Sequence, residues 1–341
     1  MGKRIAILCV LLALLGGGAL WHFITRPGVP WDRVVSLGSG DPIPVVVRPG
    51  MNGRQAAAEF EKAGIVEQGR AGDLARWMAR FSIDRALHPG TYLLRRGTPW
   101  KVARQLEAAK STLTSATIVP GTDLFSLPES ISAVPLKKEE LESLLMDDAL
   151  YPKELAALLP DSAEGRVAFL FPETYYVAEK RAEEVIASAS ALWWSRVGNA
   201  IPPADRTKER VGELAVVASL VEREGYWDDE RPRIAGVIAN RRARDMALQI
   251  DATVVYAWKR TGRTLTRVLH KDLEVDSPYN TYRVPGLPPT AICTSSWESW
   301  SAVLAPERTE YLYYVAQEDR RHLFATTYNG HLQNIRAVRK K

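Results

Sequence analysis

LAVVASLVEREGYWDDERPRIAGVIANRRARDMALQIDATVVY, residues Leu214 to Tyr256, is the stretch around which the chain is organised. Its first part predicts a helix, because an apolar stripe recurs at helical spacing: Val211, Leu214, Ala215, Ala218 and Val221. The next position on that stripe is Glu222, where the pattern predicts Leu or Val. Glu224 points well away from the stripe, and Gly225 follows as a predicted left-handed helix stop. We therefore expect Glu222 to lie on the buried side of the last helical turn.

Glu222 has the properties expected of a general acid. Burial disfavours the charged form of a carboxyl group, and so does the negative end of a helix dipole. Both effects favour a protonated side chain near neutral pH, which is the state that can donate a proton to a leaving group. The alternative is a carboxylate that turns to solvent or pairs with Arg223 or with an arginine of the next helix. Spacing alone leaves both interpretations open.

Composition predicts a folded protein with more than one domain. The chain has 341 residues and a formal charge of +5, which is small for this length. No block of Lys and Arg lies outside the last few residues, so nucleic acid is not an expected partner.

The N-terminus predicts a membrane anchor. Lys3 and Arg4 precede a nearly unbroken apolar run over residues 5–24, and roughly 20 apolar residues are enough to span a bilayer. A cleavable signal peptide is the competing interpretation, but the triple glycine with Trp21 behind it fits a cleavage site poorly. We predict a cytoplasmic tip and uncleaved anchor over residues 1–26, with the remaining chain outside the cytoplasmic membrane.

Two further domains are predicted after the anchor. Residues 27–42 are rich in Pro, Gly and Ser, which is typical of a linker. Residues 43–112 predict a strand, two amphipathic helices and a second strand, a compact βααβ unit of LysM-like type for which glycan binding is one possible use. Residues 113–341 predict a mixed α/β catalytic domain. The fold class is therefore α+β.

Two segments of the last domain could form a sugar cleft. Phe169 to Tyr175 is an aromatic run interrupted by Pro172, and Asp276 to Tyr282 combines hydroxyl, amide and ring groups in a proline-rich loop. Such groups suit carbohydrate recognition, although both segments could equally be core and connector. Asp251 is well placed to cap a helix that begins at Ala252.

Several kinds of chemistry lack their sequence signatures. The chain has no HExxH zinc motif, no P-loop, no GxSxG elbow and no paired CxxC motifs. Its two cysteines, Cys9 and Cys293, cannot form a disulfide framework. We expect neither a metal nor a cofactor.

At this point the motifs resemble the MltG/YceG family of endolytic murein transglycosylases. The resemblance covers nearly the whole chain, and six segments carry it: Leu170–Tyr175, Ala218–Glu224, Val237–Arg241, Met246–Val254, Ser277–Tyr282 and Gly286–Pro289. The chain departs from the family pattern at Ala252, where Pro is usual, at Thr290 and Ala291, and over residues 293–296. The first departure only loosens a helix start, the others concern the shape of one loop and with it the fine substrate preference, and Glu222 is left in place.

The resemblance implies an activity and a set of site residues. Glu222 is then the catalytic acid/base, in an enzyme that cleaves the bond between N-acetylmuramic acid and N-acetylglucosamine within peptidoglycan strands. One carboxyl group suffices, because the 6-hydroxyl of the substrate replaces water and 1,6-anhydro ends result. The expected substrate-binding residues are Glu173, Gln249, Asp251, Thr253, Ser277, Tyr279, Asn280, Thr281 and Tyr282.

Two alternatives remain open beside that activity. A muramidase that uses water needs a second carboxylate, such as Glu173, Asp251 or Glu230. A non-catalytic wall-binding scaffold would use Glu222 only structurally. The family resemblance further implies an extracytoplasmic (periplasmic) catalytic domain on a single-pass protein of the cytoplasmic membrane, with termination of nascent strands as its role and peptidoglycan synthases as partners.

Overall fold

A computed structural model describes residues 36–47, 51–88, 90–132, 136–178 and 182–339. The predicted anchor over residues 5–24 lies outside these ranges. Across the described ranges, no helix combines the length and the apolar character that a membrane span requires.

The structure is mixed α and β, which confirms the predicted fold class. The helices are α1 (Gly53–Lys62), α2 (Ala71–Arg80), α3 (Pro99–Thr112), α4 (Leu127–Ile131), α5 (Lys138–Met146), α6 (Lys153–Ala156), α7 (Ala163–Arg166), α8 (Ala182–Arg196), α9 (Lys208–Glu224), α10 (Arg231–Arg242), α11 (Asp251–Arg260), α12 (Trp297–Leu304) and α13 (Tyr328–Arg339). The strands are β1 (Ser39–Val47), β2 (Gly90–Arg96), β3 (Leu113–Ile118), β4 (Glu173–Ala178), β5 (Tyr313–Ala316) and β6 (His322–Ala325).

The described chain divides into two compact units. The first comprises the residues through Ser115 together with residues 175–178, and the second comprises residues 116–174 and those from Ala182 onward. The divisions fall within β3 and β4. The strands form one four-stranded sheet of order β1-β2-β4-β3 and a separate β5-β6 hairpin.

The first unit begins with the predicted order of strand, helix, helix and strand. Helix α1 starts at a capping box, in which the Asn52 side chain accepts from the Gln55 amide and the Gln55 side chain accepts from the Asn52 amide. β1 pairs antiparallel with β2, with Val45 opposite Tyr92. The buried side chains of these strands form one core with residues of α1, α2 and α3. The unit's buried core includes Val45, Val47, Phe60, Leu74, Met78, Tyr92 and Leu94.

The second unit is built around α9. Eight consecutive residues of this helix, 214–221, are buried, so neighbouring elements cover it on every face. An edge-to-face aromatic series supports it from one side: the Phe169 and Trp193 rings lie 4.9 Å apart, and the Trp193 and Trp300 rings lie 5.3 Å apart. The buried Ser219 hydroxyl accepts from the Ile292 amide at 3.0 Å, which fixes the loop before α12 against α9.

Gly225 ends α9 in a way that differs from the expected left-handed stop. Its φ of −81° lies in the ordinary region, so that prediction was wrong. The glycine is required by crowding instead, because a Cβ there would meet Arg231 Cγ at 2.9 Å and the Val221 carbonyl oxygen at 3.1 Å. The close approach lets the chain turn directly from α9 towards α10.

Candidate active site

The end of α9 carries two carboxylates that face different surroundings. Glu222 and Glu224 are two positions apart in the helix, which places their side chains about 200° apart around its axis. Because α9 is covered on all faces, the residue opposite the apolar stripe does not turn into open solvent. Each carboxylate has its own set of neighbours.

Glu222 is held in a polar cluster where three helices meet. Its side chain is 7% exposed. Its Oε2 accepts from the Ser296 amide at 2.8 Å and from the Ser296 hydroxyl at 2.6 Å, and Arg231 Nη1 lies 3.5 Å from the same oxygen. Arg231 also donates to Ser299 of α12 at 2.6 Å. These contacts join the end of α9 to the starts of α10 and α12, which is a structural arrangement.

Glu224 lines an open cavity of about 610 Å³. The cavity is lined by Glu224, Arg241, Leu248, Gln249, Asp251, Tyr282, Tyr314, Val315, Ala316, His322, His331, Ile335, Val338 and Arg339. The Tyr314 hydroxyl donates to Glu224 Oε2 at 2.9 Å. Titratable, aromatic and amide side chains therefore line the same cavity as the Glu224 carboxyl group, and Glu222 is not among the lining residues.

Burial raises the pKa of the Glu224 carboxyl above its usual range. The hydrogen bond from Tyr314 lowers that pKa, and the negative charge of Asp251 raises it further. Burial is the largest of these effects, so the net direction is towards a proton held to higher pH. A carboxyl group in this condition suits general acid catalysis.

The loop before α11 brings a predicted binding residue to the cavity. Gln249 has a φ of +50°, in the left-handed region that side-chain-bearing residues adopt rarely. Arg241 fixes this loop by donating to the Leu248 carbonyl at 2.6 Å and to the Ala247 carbonyl at 3.2 Å. The backbone N–H of Gln249 donates to the Thr281 carbonyl at 3.1 Å. The loop is therefore held by Arg241 on one side and by Thr281 on the other.

Asp251 lies in the cavity and does not cap a helix. It is the first residue of α11, whose N-cap is Ile250, and it makes no capping hydrogen bond, so the predicted cap was wrong. The Tyr282 hydroxyl donates to Asp251 Oδ1 at 2.6 Å instead. Burial raises the pKa of that hydroxyl, and the Asp251 carboxylate raises it further. The hydroxyl therefore remains a donor at neutral pH.

The other six predicted binding residues do not line this cavity. Thr253 and Thr281 are buried and hydrogen-bonded to each other at 2.9 Å, and the Thr281 hydroxyl accepts from the Ile250 amide. Asn280 donates to the Leu273 and Val275 carbonyls at 2.8 Å. These three residues shape the loops that present Gln249, Asp251 and Tyr282.

Tyr279, Ser277 and Glu173 have local partners as well. The Tyr279 and Thr290 hydroxyls lie 2.7 Å apart, and the Ser277 hydroxyl accepts from the Tyr279 amide at 3.3 Å. Glu173 Oε1 accepts from the Thr174 amide at 2.9 Å. The structure thus brings three of the nine predicted binding residues to the cavity around Glu224.

A buried pair lies beside the Tyr314 ring. His322 Nδ1 is 2.9 Å from Glu230 Oε2, and both side chains are 6% exposed. The His322 ring meets the Tyr314 ring edge-on at 5.2 Å. Glu230 is one of the candidate second carboxylates of a muramidase. It pairs with His322 and does not line the cavity.

The expectations from sequence missed Glu224, Tyr314 and His322. One signal for Glu224 is present in the sequence, because seven of the eight residues from Leu214 to Val221 are apolar, which predicts a helix enclosed on all sides. Tyr314 follows 90 residues later, and only the tertiary fold brings it to α9. Among the residues that the structure describes, no group of three or more His, Cys, Asp or Glu side chains could hold a metal ion.

Comparison with known proteins identifies relatives along most of the chain. The YceG-like family model matches residues 45–337. The endolytic murein transglycosylase of Bacillus subtilis is 32% identical over 63% of this chain, and that of Streptococcus pneumoniae is 26% identical over 96%. The chain spans 62% and 63%, respectively, of these two relatives' lengths.

A solved structure is similar to this one as well. The crystal structure of a putative YceG-like protein from Listeria monocytogenes has a TM-score of 0.55 and 26% sequence identity. The match covers 86% of this chain and 99% of the Listeria chain.

Proposed function

Since the chain belongs to the YceG-like family, we propose that it is an endolytic murein transglycosylase, a lyase that cuts peptidoglycan strands internally. The observation that carries this proposal is the position of Glu224, whose carboxyl group lines a cavity of about 610 Å³ and has a pKa raised by burial. The names of the Bacillus and Streptococcus relatives support the substrate class.

We assign the acid/base role to Glu224, where the sequence alone favoured Glu222. Glu222 Oε2 accepts two hydrogen bonds from Ser296 and faces Arg231, and these contacts stabilise helix junctions without presenting the group to a substrate. Glu224 combines access to a cavity with a raised pKa. Glu222 remains the alternative assignment, and comparison of the Glu222→Gln and Glu224→Gln proteins separates the two.

The proposed reaction needs one carboxyl group in two protonation states. Protonated Glu224 donates to the glycosidic oxygen as it leaves C1 of N-acetylmuramic acid. The resulting carboxylate accepts the proton of the substrate's 6-hydroxyl as that oxygen bonds to C1 and closes the 1,6-anhydro ring. The proton is thereby returned to Glu224, no water is consumed, and acid/base catalysis of this kind contributes about 10²–10⁴-fold in rate.

The neighbours of Glu224 have complementary roles in this proposal. Tyr314 orients the carboxyl group through its 2.9 Å hydrogen bond. Gln249, Asp251 and Tyr282 present amide, carboxylate and hydroxyl groups at the cavity wall, where they can bind sugar hydroxyl and acetamido groups.

The wider setting of the enzyme is part of the same proposal. Residues 5–24 would anchor the chain in the cytoplasmic membrane, with the catalytic unit on the extracytoplasmic face. The βααβ unit would act as a LysM-like glycan-binding module. Cleavage close to the membrane would terminate nascent strands and couple the enzyme to peptidoglycan synthases.

A muramidase is the second candidate, because Asp251 lines the same cavity as Glu224. A hydrolase of this type uses a second carboxylate to activate water. The 2.6 Å hydrogen bond from Tyr282 to Asp251 occupies one carboxylate oxygen and favours a binding role. The chemistry of the products distinguishes the two activities.

Mass spectrometry of the products tests the proposed function directly. Purified full-length protein is incubated with uncrosslinked peptidoglycan strands, and the new ends are identified. We expect internal cuts with 1,6-anhydro ends. New reducing ends would show that the protein is a hydrolase instead. Intact strands would indicate a non-catalytic wall-binding protein.

A further inference from the structure

A rigid aromatic surface lies immediately beyond Glu224 in the chain. Tyr226 is 56% exposed and Trp227 is 39% exposed, and their rings meet edge-on at 5.3 Å. Exposed large aromatic side chains in adjacent positions are typical of interaction sites. Together with Arg320 and Arg321 we call these residues the aromatic–arginine patch.

Several contacts hold the patch in one conformation. The guanidinium of Arg320 lies 4.5 Å from the Tyr226 ring centre, and that of Arg321 lies 4.7 Å from the Trp227 ring centre. Trp227 Nε1 donates to the Asp319 carbonyl at 3.1 Å. Arg321 is itself fixed by Asp229, whose two carboxylate oxygens accept from Nη1 at 2.8 and 2.6 Å. The rings are therefore pre-organised, which lowers the entropy cost of binding a ligand.

The patch adjoins the candidate active site through both of its segments. Tyr226 is two peptide steps from Glu224, so their Cα atoms are at most about 7.6 Å apart. Arg321 directly precedes His322, which lines the cavity. The backbone of the patch therefore lies beside the cavity, whose lining contains none of the four patch side chains.

The chemistry of the patch matches a glycan strand with acidic substituents. The C–H faces of a sugar ring carry partial positive charge and stack on the negative face of an aromatic ring. Arg320 has no carboxylate partner among the residues that the structure describes, so its charge is available to the carboxylates of peptide stems.

We propose that the aromatic–arginine patch is an additional subsite that binds the peptidoglycan strand beyond the cleaved bond. The proposal rests on the function proposed above and specifies how the enzyme holds a long strand rather than a short oligosaccharide. The sugars stack on Tyr226 and Trp227, and Arg320 binds the acidic stem.

Strand binding by an inactive protein tests this subsite. Full-length Glu224→Gln protein is compared with the same protein carrying Tyr226→Ala and Trp227→Ala, using uncrosslinked stem-bearing strands and a measured Kd. Neither side chain belongs to the buried core, and circular dichroism verifies that the doubly substituted protein is folded. The loss of two aromatic contacts should weaken binding by at least about fivefold.

A matched control removes an exposed aromatic ring elsewhere in the same unit. Tyr328 is 59% exposed and does not line the cavity, so Tyr328→Ala in the Glu224→Gln protein should leave the Kd unchanged. An equal Kd of the patch variant and its parent for the strands would overturn the proposal. It would also be overturned if the patch variant kept the parent's Kd for strands and lost only binding to phosphatidylglycerol vesicles, because the patch would then be a membrane-binding surface. An equal loss in the Tyr328 control would also overturn it.

Removal of the peptide stems isolates the role of Arg320. Arg320→Gln should weaken binding to stem-bearing strands by about two- to fivefold at low salt and leave binding to stem-free strands unchanged. An equal effect on both strands would contradict the proposed charge contact. Because every comparison measures binding, the subsite can fail while cleavage is observed, and cleavage can fail while the subsite is observed.

Discussion

At the scale of single residues, two carboxylates near the end of one helix have opposite environments. Glu222 Oε2 accepts from Ser296 and lies 3.5 Å from Arg231. Glu224 accepts from the Tyr314 hydroxyl and lines a cavity, where burial outweighs the nearby positive charges and raises the pKa of its carboxyl group. A shift of two sequence positions therefore places one carboxyl group against Ser296 and Arg231 and the other at a cavity wall.

Tyr314→Phe should change the pH dependence of the enzyme. The Tyr314 hydrogen bond lowers the Glu224 pKa, so its loss should raise that pKa and keep the acid protonated to higher pH. We expect the alkaline limb of the kcat/KM profile to move upward. Tyr313→Phe, on the same strand, is the control, and an unchanged or lowered limb for Tyr314→Phe would contradict the assignment.

The raised pKa of Glu224 also predicts a pH-dependent difference in stability between the unsubstituted protein and Glu224→Gln. The folded-state pKa of Glu224 is raised, so its stability contribution is complete below the unfolded value, about 4.3, and is lost as pH rises through the folded value. Glu224→Gln does not titrate. Its unfolding midpoint should exceed that of the unsubstituted protein at pH 7, and the difference should shrink towards pH 4. A constant difference across this range would show that Glu224 titrates normally.

At the scale of elements, the close approach of α10 to the loop after α12 depends on one glycine. A Cβ on Gly236 of α10 would lie 2.4 Å from the Glu307 carbonyl oxygen, whereas a Cβ on Gly212 of α9 would meet no atom within 4 Å. Gly236→Ala should therefore cost about 1–3 kcal/mol of unfolding free energy. Gly212→Ala should gain about 0.5–1 kcal/mol. Urea unfolding of both variants checks the pair, and similar midpoints would contradict this packing.

Element order was accessible from sequence periodicity, but the choice between the two carboxylates was not. The apolar repeats correctly predicted the βααβ unit and the helix that ends near Gly225. Periodicity assumes that the face opposite an apolar stripe meets water, and α9 breaks that assumption because residues 214–221 are all buried. The face of Glu224 therefore meets Tyr314 and the cavity.

At the scale of the whole molecule, distant segments build the candidate site. Glu224, Asp251, Tyr282, Tyr314 and His322 line one cavity although they span almost 100 residues of sequence. The motif resemblance named Gln249, Asp251 and Tyr282, which line the cavity, together with Asn280 and Thr281, which support the loops. The β5-β6 hairpin brings Tyr314 and His322 beside the end of α9. This tertiary arrangement distinguishes the residues that line the cavity from those that support its loops.

The central claim is that Glu224 is the acid/base of a murein transglycosylase. The most direct measurement is the rate at which 1,6-anhydro ends appear when Glu224→Gln and Glu222→Gln proteins act on the same strands, with folding verified by circular dichroism. We predict a loss of about 10²–10⁴-fold for Glu224→Gln and a rate near that of the unsubstituted enzyme for folded Glu222→Gln. An active Glu224→Gln protein beside an inactive, folded Glu222→Gln protein would contradict the account.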